Sequence, residues 1–305
     1  MERVEGVIAE RLDAFSPQGI FNTLWAFTAF AFRPSPALLG QLALATCGKL
    51  EFFKASELAM TYWSFAKLKH HLPQTALGKI QAQLLAMSLR FSLSEVSCVL
   101  YGASCMGAPE PLFLQKFVRQ SFAMSSMWTV DSISILCFTL GLIRHHPGQQ
   151  QLELLKGAIE ATRRKLTTHA LGNILWGFAR LKERFSRQSL SAYVDLFSHE
   201  WPLAGMEGQE LANVTWALSW HVKDPPASLA DRLGATVVAA SPRMTASQFS
   251  GGVISLSTLR WSPSPAEGEA LAASAVFSGT TEGEMEALGL LAWAFARLDV
   301  DPGDA

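Results

Sequence analysis

The stretch FSPQGIFNTLWAFTAF, Phe15 to Phe30, is written again as TTHALGNILWGFARL from Thr167 and as GQELANVTWALSW from Gly208. One amphipathic helix needs encoding once; recurrence at a fixed interval signals an array of repeated units. Anchored on its large residue, the phrase returns at Trp25, Trp63, Tyr101, Phe138, Trp176, Trp216, Ile254 and Trp293. The steps are 37 to 40 residues and there are eight copies.

Flanking positions repeat with the anchor. One place after it stand Ala26, Ser64, Gly102, Thr139, Gly177, Ala217, Ser255 and Ala294, all small. Five places before it come Ile20, Leu58, Val96, Ile133, Leu171, Leu211, Phe249 and Leu288, all apolar. Two places after it are Phe27, Phe65, Ala103, Leu140, Phe178, Leu218, Leu256 and Phe295. That spacing is helical, and it predicts a helix buried on much of its circumference. The small residue admits the neighbouring helix closely, and the bulky anchor is read as filling the adjoining gap. On this register the tryptophans are core packing residues, not base-stacking aromatics.

Ser16, Ser92, Thr129, Thr167 and Thr245, nine places before the anchor, are good N-caps. Ser92 with Glu95, and Thr245 with Gln248, have capping-box spacing. One residue earlier lie Phe15, Phe53, Phe91, Trp128, Leu166, Met206 and Met244, the outer halves of hydrophobic staples; Gly283 breaks the series. Pro34, Pro73, Pro109, Pro147, Pro225, Pro263 and Pro302 follow their anchors by eight to ten residues. Proline suits the first turn of a helix and resists continuing the previous one, so each predicts a new helix. The unit is therefore a hairpin: helix A after the proline, and helix B carrying the anchor. Hairpins of this kind bury their faces only by stacking. The expected fold is all-α, a right-handed α-solenoid of about eight 38-residue hairpins occupying 1–305 as a single array, with no separate catalytic domain.

The 38-residue period, the phrase SPQGIFNTLWAF and the proline-led first helix resemble the octotricopeptide repeats of organellar RNA-maturation factors. Related arrays occur in apicomplexan and dinoflagellate proteins and in the Fas-activated serine/threonine kinase family, and longer members often end in a RAP domain. The likeness covers essentially the whole chain. It is strong in copies one, five, six and eight. Copies three, four and seven depart from it, replacing the tryptophan and lacking a counterpart to Asn22, Asn173 and Asn213. The resemblance implies RNA binding in organellar RNA metabolism or on an organellar ribosome, in a mitochondrion or chloroplast. The opening residues, MERVEGVIAERLDAF, do not look like a targeting peptide.

The chain is 49% hydrophobic and 17% charged, enough apolar material for an extended core. No apolar run reaches the roughly 18 residues of a membrane span. The net charge of −1 gives no global attraction to nucleic acid. Its distribution is uneven: residues 101–200 carry eleven basic and seven acidic groups, and residues 201–305 carry five and twelve. Six places after the anchor stand Lys69, Arg144, Lys182 and Arg260. They read either as a ladder for phosphates or as cations favoured at helix C-termini. By analogy with other hairpin arrays, A helices are expected to line the concave face. Their cations, Lys79, Lys116, Arg119, Lys156 and Arg163, then become RNA candidates against the alternative of an ordinary solvated face.

No nucleotide-binding, zinc-protease or nucleophile-elbow motif is written, and no cofactor is expected. Cys47, Cys98, Cys105 and Cys137 lack metal-ligand spacing and read as buried, reduced core thiols. The pairs His70/His71 and His145/His146 read as solvated turn residues, not as a metal site. Glu282, Glu284 and Glu286 read as a charged cap, not as acid/base catalysts. A protein–protein scaffold on the same fold, and a fragment of a larger RNA-processing enzyme, are the alternative functions. Pro302 suggests that a further hairpin follows or that a partner covers this end. Trp293, Phe295 and Leu298 are accordingly expected to be more exposed than Trp176, Phe178 and Leu181.

Overall fold

A computed structural model describes residues 2–106, 111–203, 205–206, 208–275 and 282–301. Pro109, Pro302 and the side chain of Glu282 lie outside the described residues. All the regular structure among the described residues is helical, with no strand, and the helices form eight A/B hairpins in chain order. The first four are α1 (Glu2–Arg11) with α2 (Pro17–Ala29), α3 (Pro36–Gly48) with α4 (Ala55–Lys67), α5 (Gln74–Ala86) with α6 (Leu93–Cys105), and α7 (Pro111–Ala123) with α8 (Val130–Leu142). The others are α9 (Gln149–Thr162) with α10 (Thr168–Arg180), α11 (Arg187–Asp195) with α12 (Gly208–His221), α13 (Ala227–Ala240) with α14 (Ala246–Thr258), and α15 (Pro265–Ser274) with α16 (Glu282–Leu298).

Two compact units result. One holds 1–143 with 147–154, and the other holds 144–146 with 155–305. Each is layered in the same way. Successive B helices pack on one another extensively: α2, α4, α6 and α8 in the first unit, and α10, α12, α14 and α16 in the second. Successive A helices touch only locally, as α3 with α5 and α13 with α15 do. Within a unit the B layer is therefore the close-packed inner layer, and the A layer is splayed. The small residue after each anchor explains the tight B layer: a Cβ on Gly102 would stand 2.6 Å from the Tyr62 ring of the preceding B helix.

The helix starts follow the sequence pattern. Ser16, Ser92, Thr129, Thr167 and Thr245 each accept a hydrogen bond from the backbone N–H three residues on. The two capping boxes form as written. Between most A and B helices runs a short 3₁₀ turn, then the staple residue with extended backbone; Phe53, Phe91, Leu166 and Met244 are buried there. The second sequence of stops also holds, offset by a residue or two: α5 begins after Pro73, α13 after Pro225–Pro226, and α15 at Pro265 beyond Pro263.

The anchors are not core, which corrects the reading of the register. Trp25 is 48% exposed and Trp293 49%, and the anchors between them are half-buried. In the copies between the first and the last, the buried positions include those five and one before the anchor and one and two after it, such as Leu171, Leu175, Gly177 and Phe178. The cysteines are corrected too: Cys137 is buried, whereas Cys47, Cys98 and Cys105 are half-buried, and all four are free thiols. On α16, Trp293 is more exposed than Trp176, as expected, but Phe295 and Leu298 are buried. Helix α16 packs extensively on α14, the Val300 N–H donates to the Phe295 carbonyl in the helix stop, and the Val300 side chain lies against Gly268.

Candidate nucleic-acid interface

Residues seven and three before the anchor, the anchor itself and the residue four after it lie along one helix face. In α10 these are His169, Asn173, Trp176 and Arg180, the side chains left accessible between buried neighbours. Because B helices stack side by side, the stripes of successive repeats become rows on the inner layer of each unit.

In the first unit the anchor row is Trp63, Tyr101 and Phe138, with ring centroids 6.5 and 6.4 Å apart. Lys67 Nζ lies 5.7 Å from the Trp63 ring centroid and 5.0 Å from that of Tyr101. Cys98 Sγ, in the row three before the anchor, is 3.6 Å from Met60 Sδ, and burial pushes this thiol up to about 11. In the second unit Trp176 and Trp216 are 6.4 Å apart, and the Arg180 guanidinium sits 5.4 Å from the Trp176 ring. Arg297 repeats the arrangement 4.9 Å from Trp293. Polar residues nearer the helix starts are tied laterally: His169 Nδ1 to Glu210 Oε1 at 3.2 Å, and Gln248 Nε2 donating to Gln209 Oε1 at 3.3 Å. Burial, and then the nearby Arg144, lower the Arg180 pKa, so an edge cation and an inner-face cation act on the same ground.

Lys69, Arg144 and Lys182 are exposed at the ends of B helices. All three have left-handed backbone, with φ of 53°, 51° and 60°, as do Arg260, Ala31 and Asp299 at the same repeat position. Lys69 N–H donates to the Ala66 carbonyl and His70 N–H to that of Phe65; Lys182 and Glu183 repeat the pattern. This is a Schellman termination. The position is built by the helix stop whatever the side chain, while its cations still project at one edge.

Lys79 on α5, and Lys116 and Arg119 on α7, are exposed but belong to the outer A layer. Lys156 is half-buried and 3.9 Å from Glu183, and Arg163 is 3.8 Å from Glu160. These two are partly neutralised by their own repeats. The histidine pairs are not simply solvated. His70 packs its ring 5.8 Å from Phe65, and burial, with His71 beside it, lowers its pKa. His146 Nε2 lies 3.2 Å from Glu183 Oε1. Among the described residues no three His, Cys, Asp or Glu side chains are grouped to hold a metal ion, and no helix is long and apolar enough to cross a membrane.

The row of cations four after the anchor, Lys67, Arg180 and Arg297, was missed by sequence reasoning. Its signal was present in WSFAK, WGFAR and WAFAR at Trp63, Trp176 and Trp293, where an aromatic is followed on the same helix face by a base. No protein-family model matches this chain, and no curated protein matches it.

Proposed function

We propose that the chain is an RNA-binding helical-repeat protein that acts by binding alone, in organellar RNA metabolism or on an organellar ribosome. The observation that supports it best is the inner-face row of half-exposed aromatics with cations over them. Unpaired bases stack on such rings, and cation–π contacts with Lys or Arg strengthen the platform. Single-stranded RNA is the form whose bases are free to do so. Lys69, Arg144 and Lys182 at the helix ends would meet phosphates beside that row. The octotricopeptide-like phrase points the same way and supplies the organellar setting.

The test is an electrophoretic binding assay with mixed-sequence single-stranded RNA at several salt concentrations. Trp176→Ala with Arg180→Gln should weaken binding strongly, whereas Lys116→Glu with Arg119→Glu, on the outer layer, should do less. No retention at low salt would end the reading. The second reading is a protein–protein scaffold. It is favoured by the net charge of −1 and by Met285, Leu290 and Trp293 exposed together on α16.

A further inference from the structure

Within the two units α4, α6, α12 and α14 each pack between two other B helices. The contacts define two sides of a B helix. Toward the following repeat lie the positions eight, four and one before the anchor. A Cβ on Gly172 would stand 2.5 Å from Val214 of the next B helix, and one on Gly208 would stand 3.1 Å from Met244. Toward the preceding repeat lie the positions two before the anchor, such as Val214, and one and five after it. There Gly102 meets the Tyr62 ring, and His221 Nε2 is 2.9 Å from the Leu175 carbonyl.

One of these sides is open on α2 and the other on α16. Phe30, five after its anchor, is 82% exposed, whereas Leu68, Met106, Leu259 and Leu298 at that position are buried. Thr23 and Ala26 are half-buried where their equivalents Thr61 and Ser64 are buried. On α16, Met285 is exposed, and a Cβ on Gly289 would have nothing within 4 Å. Ala292 is exposed too, while Tyr62, Leu100, Leu175 and Val253 are buried at the same position. The anchors follow suit: Trp25 and Trp293 are exposed, and the six between them are half-buried.

We propose that α2 of one copy docks on α16 of a second copy, continuing the B layer from molecule to molecule in the repeat's own register. The two open sides are complementary in that register. Thr23 has the shape of Val214, and its hydroxyl is already satisfied by the Gly19 carbonyl at 2.8 Å, so it fits Gly289 as Val214 fits Gly172. Bulky Phe30 falls on small Ala292, and Met285 falls on Phe15, the staple residue equivalent to Met244. Lys67 lies over both the Trp63 and Tyr101 rings; Arg297, 4.9 Å from the Trp293 ring, takes the same place between Trp293 and the second copy's Trp25. A head-to-tail joint leaves a fresh side open on every copy added. One helix pair is a small interface, so the joint is weak, with Kd on the order of 10–100 µM. It would carry the row of inner-face rings onward, but it does not depend on RNA binding.

Sedimentation velocity on nuclease-treated protein, from about 5 to about 200 µM, reads the joint with no RNA to bridge copies. The average mass should rise with concentration and pass that of a dimer. Phe30→Lys blocks one side and Gly289→Arg the other; both positions are exposed, so the fold should survive. Each variant alone should lose the association. An equimolar mixture of the two should form dimers and nothing larger, because each keeps the side that the other lacks. A native chain that stays monomeric at the highest concentration would overturn the joint. So would self-association of Phe30→Lys alone, the mark of two α16 faces meeting each other, or a mixture that forms no dimer.

Discussion

His221 carries the clearest pH consequence at the scale of single residues. Burial, against the partly offsetting bond to the Leu175 carbonyl, depresses its pKa from 6.5 to about 4. The fold thus favours the neutral ring. Its contribution is complete above about pH 6.5 and is lost as pH falls toward 4, below which folded and unfolded chains are both protonated. The shift is worth about 3 kcal/mol. Urea midpoints measured from pH 7.5 to 4 should fall more steeply for the native chain than for His221→Leu. Parallel curves would show that this ring does not drive the loss. Packing makes a second contrast. Phe178 is 1% exposed, so Phe178→Ala should cost about 3–5 kcal/mol, whereas half-buried Trp216 should cost clearly less on truncation. Gly102→Ala should destabilise by about 1–3 kcal/mol, because its Cβ would strike the buried ring of Tyr62, whose hydroxyl already accepts a hydrogen bond from Gln81 Nε2. Denaturant melts rank all three.

Each helix carries its own start and stop signals. Thr167 accepts from Ala170 N–H at 3.1 Å, and its replacement by alanine should cost about 1 kcal/mol. At the other end of α10, Lys182 holds a left-handed backbone that disfavours any residue with a Cβ. Lys182→Gly should therefore stabilise by roughly 0.5–1 kcal/mol, less what the lysine contributes to the helix C-terminus. Asp299→Gly should gain more, since an anion there opposes the helix dipole. Lys182→Gly also separates two roles of one residue. If thermal stability rises and RNA affinity falls, the lysine meets phosphate. If stability alone changes, it serves only the helix stop. The repeat phrase, the N-caps and the proline-led starts were legible in the sequence because each depends on bonds within a few residues. The left-handed terminations were not recognised, because lysine and arginine do not advertise that conformation as glycine does.

Across the molecule, the two candidate sets of cations differ in layer. Lys67 and Arg180 lie on inner B faces, and Lys116 and Arg119 on the outer A layer. For a single strand, log affinity falls with log salt by about 0.7 per phosphate neutralised. Lys67→Gln with Arg180→Gln should reduce that slope by about 1.4 if each cation meets one phosphate, and Lys116→Gln with Arg119→Gln should leave it nearly unchanged. The reverse result would move the interface to the A layer.

The sequence by itself determined the helical hairpins, their number and their period, because capping, staples and proline act over short separations along the chain. It also determined which B-helix positions are deepest, through the apolar residues five before and two after each anchor. Only the tertiary structure decided which layer packs closely, and therefore that the anchors are half-exposed. Burial at an anchor depends on how near the next repeat comes, and that distance is set by the small residue meeting a ring some forty residues away, as Gly102 meets Tyr62. Which sides of α2 and α16 stay open was decided in the same way. Phe30 and Ala292 occupy repeat positions that are buried in other copies, and only what packs beside each helix leaves these two exposed.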